Sequence, residues 1–198
     1  MKNHLFFIAL FAMGSVSTNA QVAPIQIGRA SNVWTILRSE QNQVVADMAT
    51  NTVAFIHRQD VTIWGGGTTA NGRLRYDLST NGGASFTNDI GVLNNAYTQP
   101  ARYPQIIGFG SNANPFNNNF IWTAPTLTPT GDWDGFATGI SQVTASNPVF
   151  STETYNEVGN RTLLQGGLCE GLNGEFWQAD FLALGGVVSD SIRLLKGT

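Results

Sequence analysis

The chain never sustains apolar residues at helical spacing. Its apolar positions alternate in short runs, and Gly, Asn and Pro cut each run off after a few residues. Without a 3.6-residue stripe there is no amphipathic helix to pack, so strands must do the burying. The predicted strands are VWTILR (33–38), QVVADMA (43–49), TVAFIHR (52–58), RLRYDLS (73–79) and YPQIIGFG (103–110), followed by NFIWTAP (119–125), GFATGISQV (135–143), TLLQGGL (162–168), GEFWQADFLAL (174–184) and SIRLLK (191–196). Charged residues make up only 12% of the chain, so its polarity comes from Asn, Thr, Ser, Gln and Gly. Those residues suit turns and exposed strand faces better than helices.

The strands recur in a set order. A moderately apolar strand, a short Asn/Gly turn, an aromatic-rich strand and a longer polar loop lead to a third strand. VVADMATNTVAFIHR, PQIIGFGSNANPFNNNFIWTAP and LLQGGLCEGLNGEFWQADF follow this order, and their aromatic strands centre near Phe55, Trp122 and Trp177, 67 and 55 residues apart. A four-stranded unit repeating at such a spacing predicts an all-β fold of β-propeller-like blades, each a four-stranded antiparallel sheet buried on both faces. A single sandwich with coincidental spacing is the competing arrangement. Closed propellers need about four to eight blades, and this chain offers about two to three. The expectation is therefore an incomplete propeller: the N-terminal portion of a longer protein, or a short open array that closes by association.

The first twenty residues stand apart. Lys2 precedes the apolar run Leu5–Met13, and Thr18 and Ala20 place small residues where a signal peptidase reads them. The run is well short of the roughly 18 residues that a membrane span needs. The reading is a signal peptide over 1–20, cleaved after Ala20, and a propeller-like domain over 21–198. The protein is expected outside the cell or at its surface, with no membrane span in the mature chain. Without Lys2, nine basic residues face thirteen acidic ones, and Lys196 is the only lysine left. No basic patch is available for phosphates, which argues against nucleic acid as a partner. The single cysteine, Cys169, cannot form an internal disulfide and reads as a small apolar side chain in a strand.

STNGGASF (79–86) follows the strand 73–79. Asn81 can cap a tight turn by accepting a backbone hydrogen bond, Gly83 suits a position with positive φ, and the Ser79 and Ser85 hydroxyls can satisfy loop amides. Phe86 can plug the turn into an apolar layer. The spacing Ser-x-Asn-x-Gly-x-Ser-Phe resembles the Asp-box, the BNR repeat of sialidases and other secreted propellers. Its usual form is Ser-x-Asp-x-Gly-x-Thr-Trp, set in the turn between the third and fourth strands of a blade. Here Asn81, Ser85 and Phe86 replace the aspartate, threonine and tryptophan. Together with VAFIHRQDVTIWGGGT, PARYPQ, DWDGF and a leader ending in NAQ, the chain is similar to the N-terminal part of secreted bacterial propellers exported by type IX secretion. That resemblance implies export and a propeller, and supplies no activity.

WGGGTTANG (64–72) lacks the lysine and the strand-to-helix junction of a phosphate loop and reads as an inter-strand loop. In FIHRQD, His57, Arg58 and Asp60 end a strand, and Arg102 and Tyr103 in ARYP begin the next unit. Guanidinium forks suit carboxylates, so Arg58, Asp60, Arg102 and Tyr103 are the candidate ligand-binding residues. A local Arg58–Asp60 ion pair is the plainer reading. Sialidases add a third arginine, an acid/base aspartate and a Tyr/Glu pair, none of which is identifiable here, and ARYP only faintly resembles their Phe-Arg-Ile-Pro element. No catalytic residue is therefore assigned. Asp132 and Asp134 in GDWDG lack the further oxygen ligands of a calcium loop. His57 alone cannot build a zinc site. Glu153 and Glu157 read as solvated charge in a polar loop. No metal or other cofactor is expected. The leading functional expectation is a non-catalytic scaffold or binding module that takes a glycan or protein ligand, with Trp64, Tyr103 and Trp133 as candidate contacts, and that is completed by further blades or by self-association. The alternative is the front part of a sialidase-like glycoside hydrolase whose catalytic residues lie mostly beyond Thr198.

Overall fold

A computed structural model describes residues 24–31, 41–65, 72–94, 100–111, 114–128, 130–142, 150–156, 161–171, 175–184 and 187–197. The predicted leader (1–20) and the predicted strand 33–38 lie outside the described residues. What is described is all-β apart from one helical turn, and it forms three separate antiparallel sheets. The first contains β1 (Val44–Asp47), β2 (Thr52–Arg58), β3 (Leu74–Ser79) and β4 (Thr87–Ile90), with α1 (Val61–Trp64) following β2. The second contains β5 (Gln105–Ser111), β6 (Asn114–Leu127), β7 (Trp133–Gln142) and β8 (Phe150–Asn156). The third contains β9 (Arg161–Glu170), β10 (Phe176–Leu184) and β11 (Val187–Gly197). In each sheet, spatial order follows chain order.

The tight hairpins follow from local chemistry. β1 ends at Asp47 because its carboxylate accepts the Ala49 amide (3.0 Å) and the Thr50 hydroxyl (2.7 Å), and Asn51 then takes φ 52°. Asn is the type of residue that tolerates that region. β4 and β8 are the strands that periodicity does not reveal. Both lie at a sheet edge. β4 reads TNDI and buries only Ile90, so there is no alternation to detect. Glu153, read as loop charge, sits in β8 opposite Thr138. Among the described residues the third sheet has three strands, the number the sequence reading gives for this part of the chain.

The sheets are held face to face. Ala54, Ile56, Leu74, Tyr76, Leu78 and Ile90 of the first sheet pack with Ile106, Phe120, Trp122, Ala124 and Ala137 of the second in one buried cluster. Tyr76 meets Phe120 edge to face, with ring centroids 4.9 Å apart. The next residues along the same strands, Ile107 and Ile121, point the other way and join Leu168 of β9 and Phe176 of β10 in a smaller cluster. β5 and β6 are thus buried on both faces, as period-2 geometry allows only when neighbours cover both sides.

The first strands of the three sheets are neighbours. The Ile106 amide donates to the Asn42 carbonyl just before β1 (2.8 Å). On the other side the fully buried Gln105 donates from Nε2 to the Gly166 carbonyl (2.8 Å) and accepts the Leu168 amide at Oε1 (3.1 Å). One side chain therefore satisfies two backbone groups of β9. Gln105→Ala leaves the Leu168 amide buried and unpaired, which costs about 1–3 kcal/mol. The expected outcome is a lower urea midpoint with an unchanged slope. An unaltered midpoint would show that the junction does not depend on this side chain.

Candidate functional site

Three places gather polar side chains that the sequence singles out, or should have. The first is the 79–86 turn, which joins β3 to β4. Ser79 Oγ accepts the amides of Gly83 (2.9 Å) and Asn81 (3.3 Å) and donates to Asn81 Oδ1 (2.8 Å). Asn81 Oδ1 also accepts the Ser85 amide (3.0 Å), and its Nδ2 donates to Ser85 Oγ (2.8 Å). The amide that Asn81 caps is thus four residues on, while the Gly83 amide belongs to Ser79. Gly82 and Gly83 both hold positive φ, 69° and 88°, and Phe86 is half-buried. The turn is closed on itself by its own hydrogen bonds.

The second place is the end of β2. Arg58 is buried there. The antiparallel bridge Ala101–Thr126 and the Arg102 amide on the Pro125 carbonyl (3.0 Å) bring Arg102 and Tyr103 to the start of β5. Burial, then the charge of Arg102, push the Arg58 guanidinium down to about 9, with Tyr103 acting the other way. Burial also lowers Arg102. Tyr103 holds φ 47° and stacks on Trp133 with centroids 6.0 Å apart. Such strain persists in a bulky residue only where its surroundings over-determine it. Two like charges that feel each other in a partly dry place, beside an aromatic pair, suit an anion. Asp60 is engaged elsewhere: it caps α1, accepting the Thr62 amide (2.8 Å) and hydroxyl (2.7 Å), which hold it below the ordinary carboxylate range. Asp132, in the β6–β7 turn, gives its amide to Thr128 Oγ1 (3.1 Å) and is exposed. Cys169 lies in β9 opposite Trp177 as a free thiol, exposed rather than packed.

The third place is the far face of the first sheet. Period-2 reading assigns Arg75 and Asp77 of RLRYDLS to solvent, yet both are buried. The segment 24–31 and α1 contact this face: the Gly28 amide donates to Asp77 Oδ2 (2.9 Å), the Ser31 hydroxyl donates to the Gln59 carbonyl (2.6 Å), and Trp64 lies 3.9 Å from the Arg75 guanidinium. Arg75 Nε donates to Gln59 Oε1 (2.9 Å) and Nη1 to the carbonyls of Asp89 (2.7 Å) and Gly91. His57 Nδ1 lies 2.9 Å from the Arg58 carbonyl, and its Nε2 lies 3.3 Å from Asp77 Oδ1 and 3.8 Å from Asp89 Oδ1. Burial works against a charged ring, but Asp77, the Arg58 carbonyl and the Asp89 charge outweigh it and raise the His57 pKa above 6.5. The sequence offers His57 no partner within its own strand; the fold supplies two carboxylates from β3 and β4. The available signal was register, since β2 and β3 pair with His57 opposite Arg75, two residues from Asp77.

A cleft of about 280 Å³ opens where β1, β5 and β9 converge, with Asp47 and Glu170 among the residues lining it. Among the described residues, no helix is long and apolar enough to cross a membrane. Compared with models of known protein families, with characterised proteins and with solved structures, the chain matches none. Its own geometry therefore carries the functional argument.

The 79–86 turn allows two contributions to be separated. A Cβ at Gly83 would meet no atom within 4 Å, so Gly83→Ala carries only the cost of its 88° φ, about 1 kcal/mol. Asn81→Ala removes the cap of the Ser85 amide and costs a similar amount, whereas Asn81→Asp keeps the acceptor and is expected to melt within a degree or two of the parent. Thermal melts of the three variants check this. Equal losses in Asn81→Ala and Asn81→Asp would mean that the cap is not what holds the turn.

Proposed function

We propose that this is an exported, non-catalytic β-propeller segment that serves as a scaffold or binding module at the cell surface or outside the cell. One observation carries the reading: consecutive up-and-down sheets stack face to face with their first strands adjacent, and β5 and β6 of the middle one are covered on both sides. That is how blades sit around a propeller axis. The 79–86 turn, between the third and fourth strands of the first sheet, supports the kinship to Asp-box propellers, and the apolar leader supports export. On this reading the cleft between β1, β5 and β9 faces the axis. Arg58, Arg102 and the Tyr103–Trp133 stack form the place where a carboxylate of an acidic glycan or peptide binds. Further blades, or a second copy, cover the remaining sheet face.

Arg58 and Arg102 are read as binding groups, since an acid/base carboxylate pair for glycoside cleavage is not among the described residues placed beside them. The test has two arms. Protein recovered from the culture medium is expected to begin at Gln21, and the purified chain is expected to release no sugar from sialylated or other glycan substrates while retaining such a glycan in a binding assay. Retention is expected to weaken in Arg102→Ala. Turnover that disappears in Arg58→Ala or Arg102→Ala would replace the module with the sialidase-like hydrolase.

A further inference from the structure

We propose that His57 Nε2, Asp77 Oδ1 and Asp89 Oδ1 form a binding site for one divalent transition-metal ion of the zinc or manganese type. The three atoms lie within 4.8 Å of one another and come from three adjacent strands, β2, β3 and β4. His57 is fully buried, yet Nε2 has no hydrogen-bond partner, and the buried Oδ1 of Asp89 has none either. These two orphaned atoms face each other at 3.8 Å. Buried polar atoms are rarely left so, and two that converge call for something between them.

The distances decide between a proton and a metal ion. Nδ1 gives its hydrogen to the Arg58 carbonyl, which leaves the Nε2 lone pair aimed at the two carboxylates. A charge-assisted hydrogen bond to a carboxylate spans about 2.7–2.9 Å. At 3.3 Å a proton on Nε2 makes only a long hydrogen bond to Asp77, and at 3.8 Å it leaves Asp89 Oδ1 without a partner. Ligands about 2.0–2.2 Å from one ion lie roughly 3–3.5 Å apart in tetrahedral or octahedral geometry; the His57–Asp77 separation falls in that range, and Asp89 would have to draw in by a few tenths of an ångström. Imidazole with two carboxylates suits zinc or manganese better than magnesium or calcium, which take oxygen alone.

The surroundings resemble an outer ligand shell. The His57 ring is oriented by a backbone carbonyl, and Asp77 is held by the Asp89 amide at Oδ1 (2.8 Å) and the Gly28 amide at Oδ2. A Cβ at Gly28 would sit 2.5 Å from Asp77 Oδ1, so glycine is required for that approach. Asp89 reaches the site through a bulge: β4 has one extra residue opposite β3 between Tyr76 and Leu78, and Asp89 takes φ 58°. With the His57 ring neutral, as a metal ligand must be, two carboxylates outweigh the nearby Arg75 guanidinium, so binding is expected to strengthen as pH rises and the ring loses its proton. The ion would tie β2, β3 and β4 together beneath the segment 24–31.

The test uses the purified, tag-free chain, stripped with a chelator and titrated calorimetrically with Zn²⁺, Mn²⁺ and Ca²⁺. Zn²⁺ or Mn²⁺ is expected to bind at one equivalent and to raise the melting temperature, and Ca²⁺ to bind far more weakly. Asp89→Asn suits the test because Asn tolerates positive φ. It is expected to melt like the stripped parent and to bind at least about tenfold more weakly. X-ray absorption of the zinc-loaded protein is expected to show one imidazole, lost in His57→Gln. The proposal is overturned if neither transition metal binds the parent, if Asp89→Asn binds as tightly as the parent, or if no imidazole is seen.

Discussion

Strands β5 and β6 of the second sheet carry apolar residues that are buried on both faces, and the placement of the neighbouring sheets follows from that. Along β6, Phe120 and Trp122 point to the first sheet while Ile121 points to the third; along β5, Ile106 and Ile107 divide in the same way. A strand whose successive residues are both apolar cannot rest on a single layer. It requires a neighbour on each side. The apolar surface removed from water on the two sides is the main favourable term, and it is non-directional. Direction comes from polar contacts such as Gln105 on β9 and the Asn42 carbonyl on Ile106. These set which strand of each sheet lies against which.

The first sheet meets a different problem. Its inner face is apolar, but its outer face carries Phe55, His57, Gln59, Arg75 and Asp77. Most of these are buried beneath segment 24–31 and α1. Burying charge is costly unless every group finds a partner. Arg75 finds carbonyls, Gln59 and the Trp64 ring; Asp77 finds two amides. Among the described residues, His57 Nε2, Asp89 Oδ1 and Gln59 Nε2 are the atoms this network leaves without a partner, and Asp89 is strained as well. Incomplete satisfaction in an otherwise closed network is a feature of sites that hold something.

Strand positions were legible where burial imposes a period. TVAFIHR coincides with β2 over 52–58, because alternate side chains there enter the core. β4 was not legible, since an edge strand reading TNDI buries one residue and owes its place to pairing with β3. α1 was not legible either, being one turn started by the Asp60 carboxylate. The candidate site was half legible. Arg58, Asp60, Arg102 and Tyr103 were singled out because they stand at the end of one predicted strand and the start of the next unit; the charge of Arg102 reaches Arg58, while Asp60 caps α1 instead. The partners of His57 were missed because alternation in RLRYDLS says that Arg75 and Asp77 share a face without saying that another segment covers it. Only the position of residues 24–31, 49 residues from Asp77 at Gly28, turns that face inward.

The two outer sheets end the stack unequally. Segment 24–31 and a polar network cover the first. On the third, Ile192 and Leu194 project from β11 at 66% and 71% exposure, with Leu194 opposite Ala179 of β10 and Cys169 opposite Trp177 on the adjoining ladder. The residue between them, Arg193, turns inward to the buried Asp180, so the apolar residues are the ones left outside. Lys196 shares that outer face and pairs with Glu175, so Ile192 and Leu194 form an exposed apolar patch with a charged edge. On the proposed reading, this is the face onto which a further sheet or a second copy packs. The polar end would then terminate the array and the apolar end extend it. The same asymmetry puts the buried His57 cluster under the covered face of the first sheet, away from the exposed apolar residues of β11.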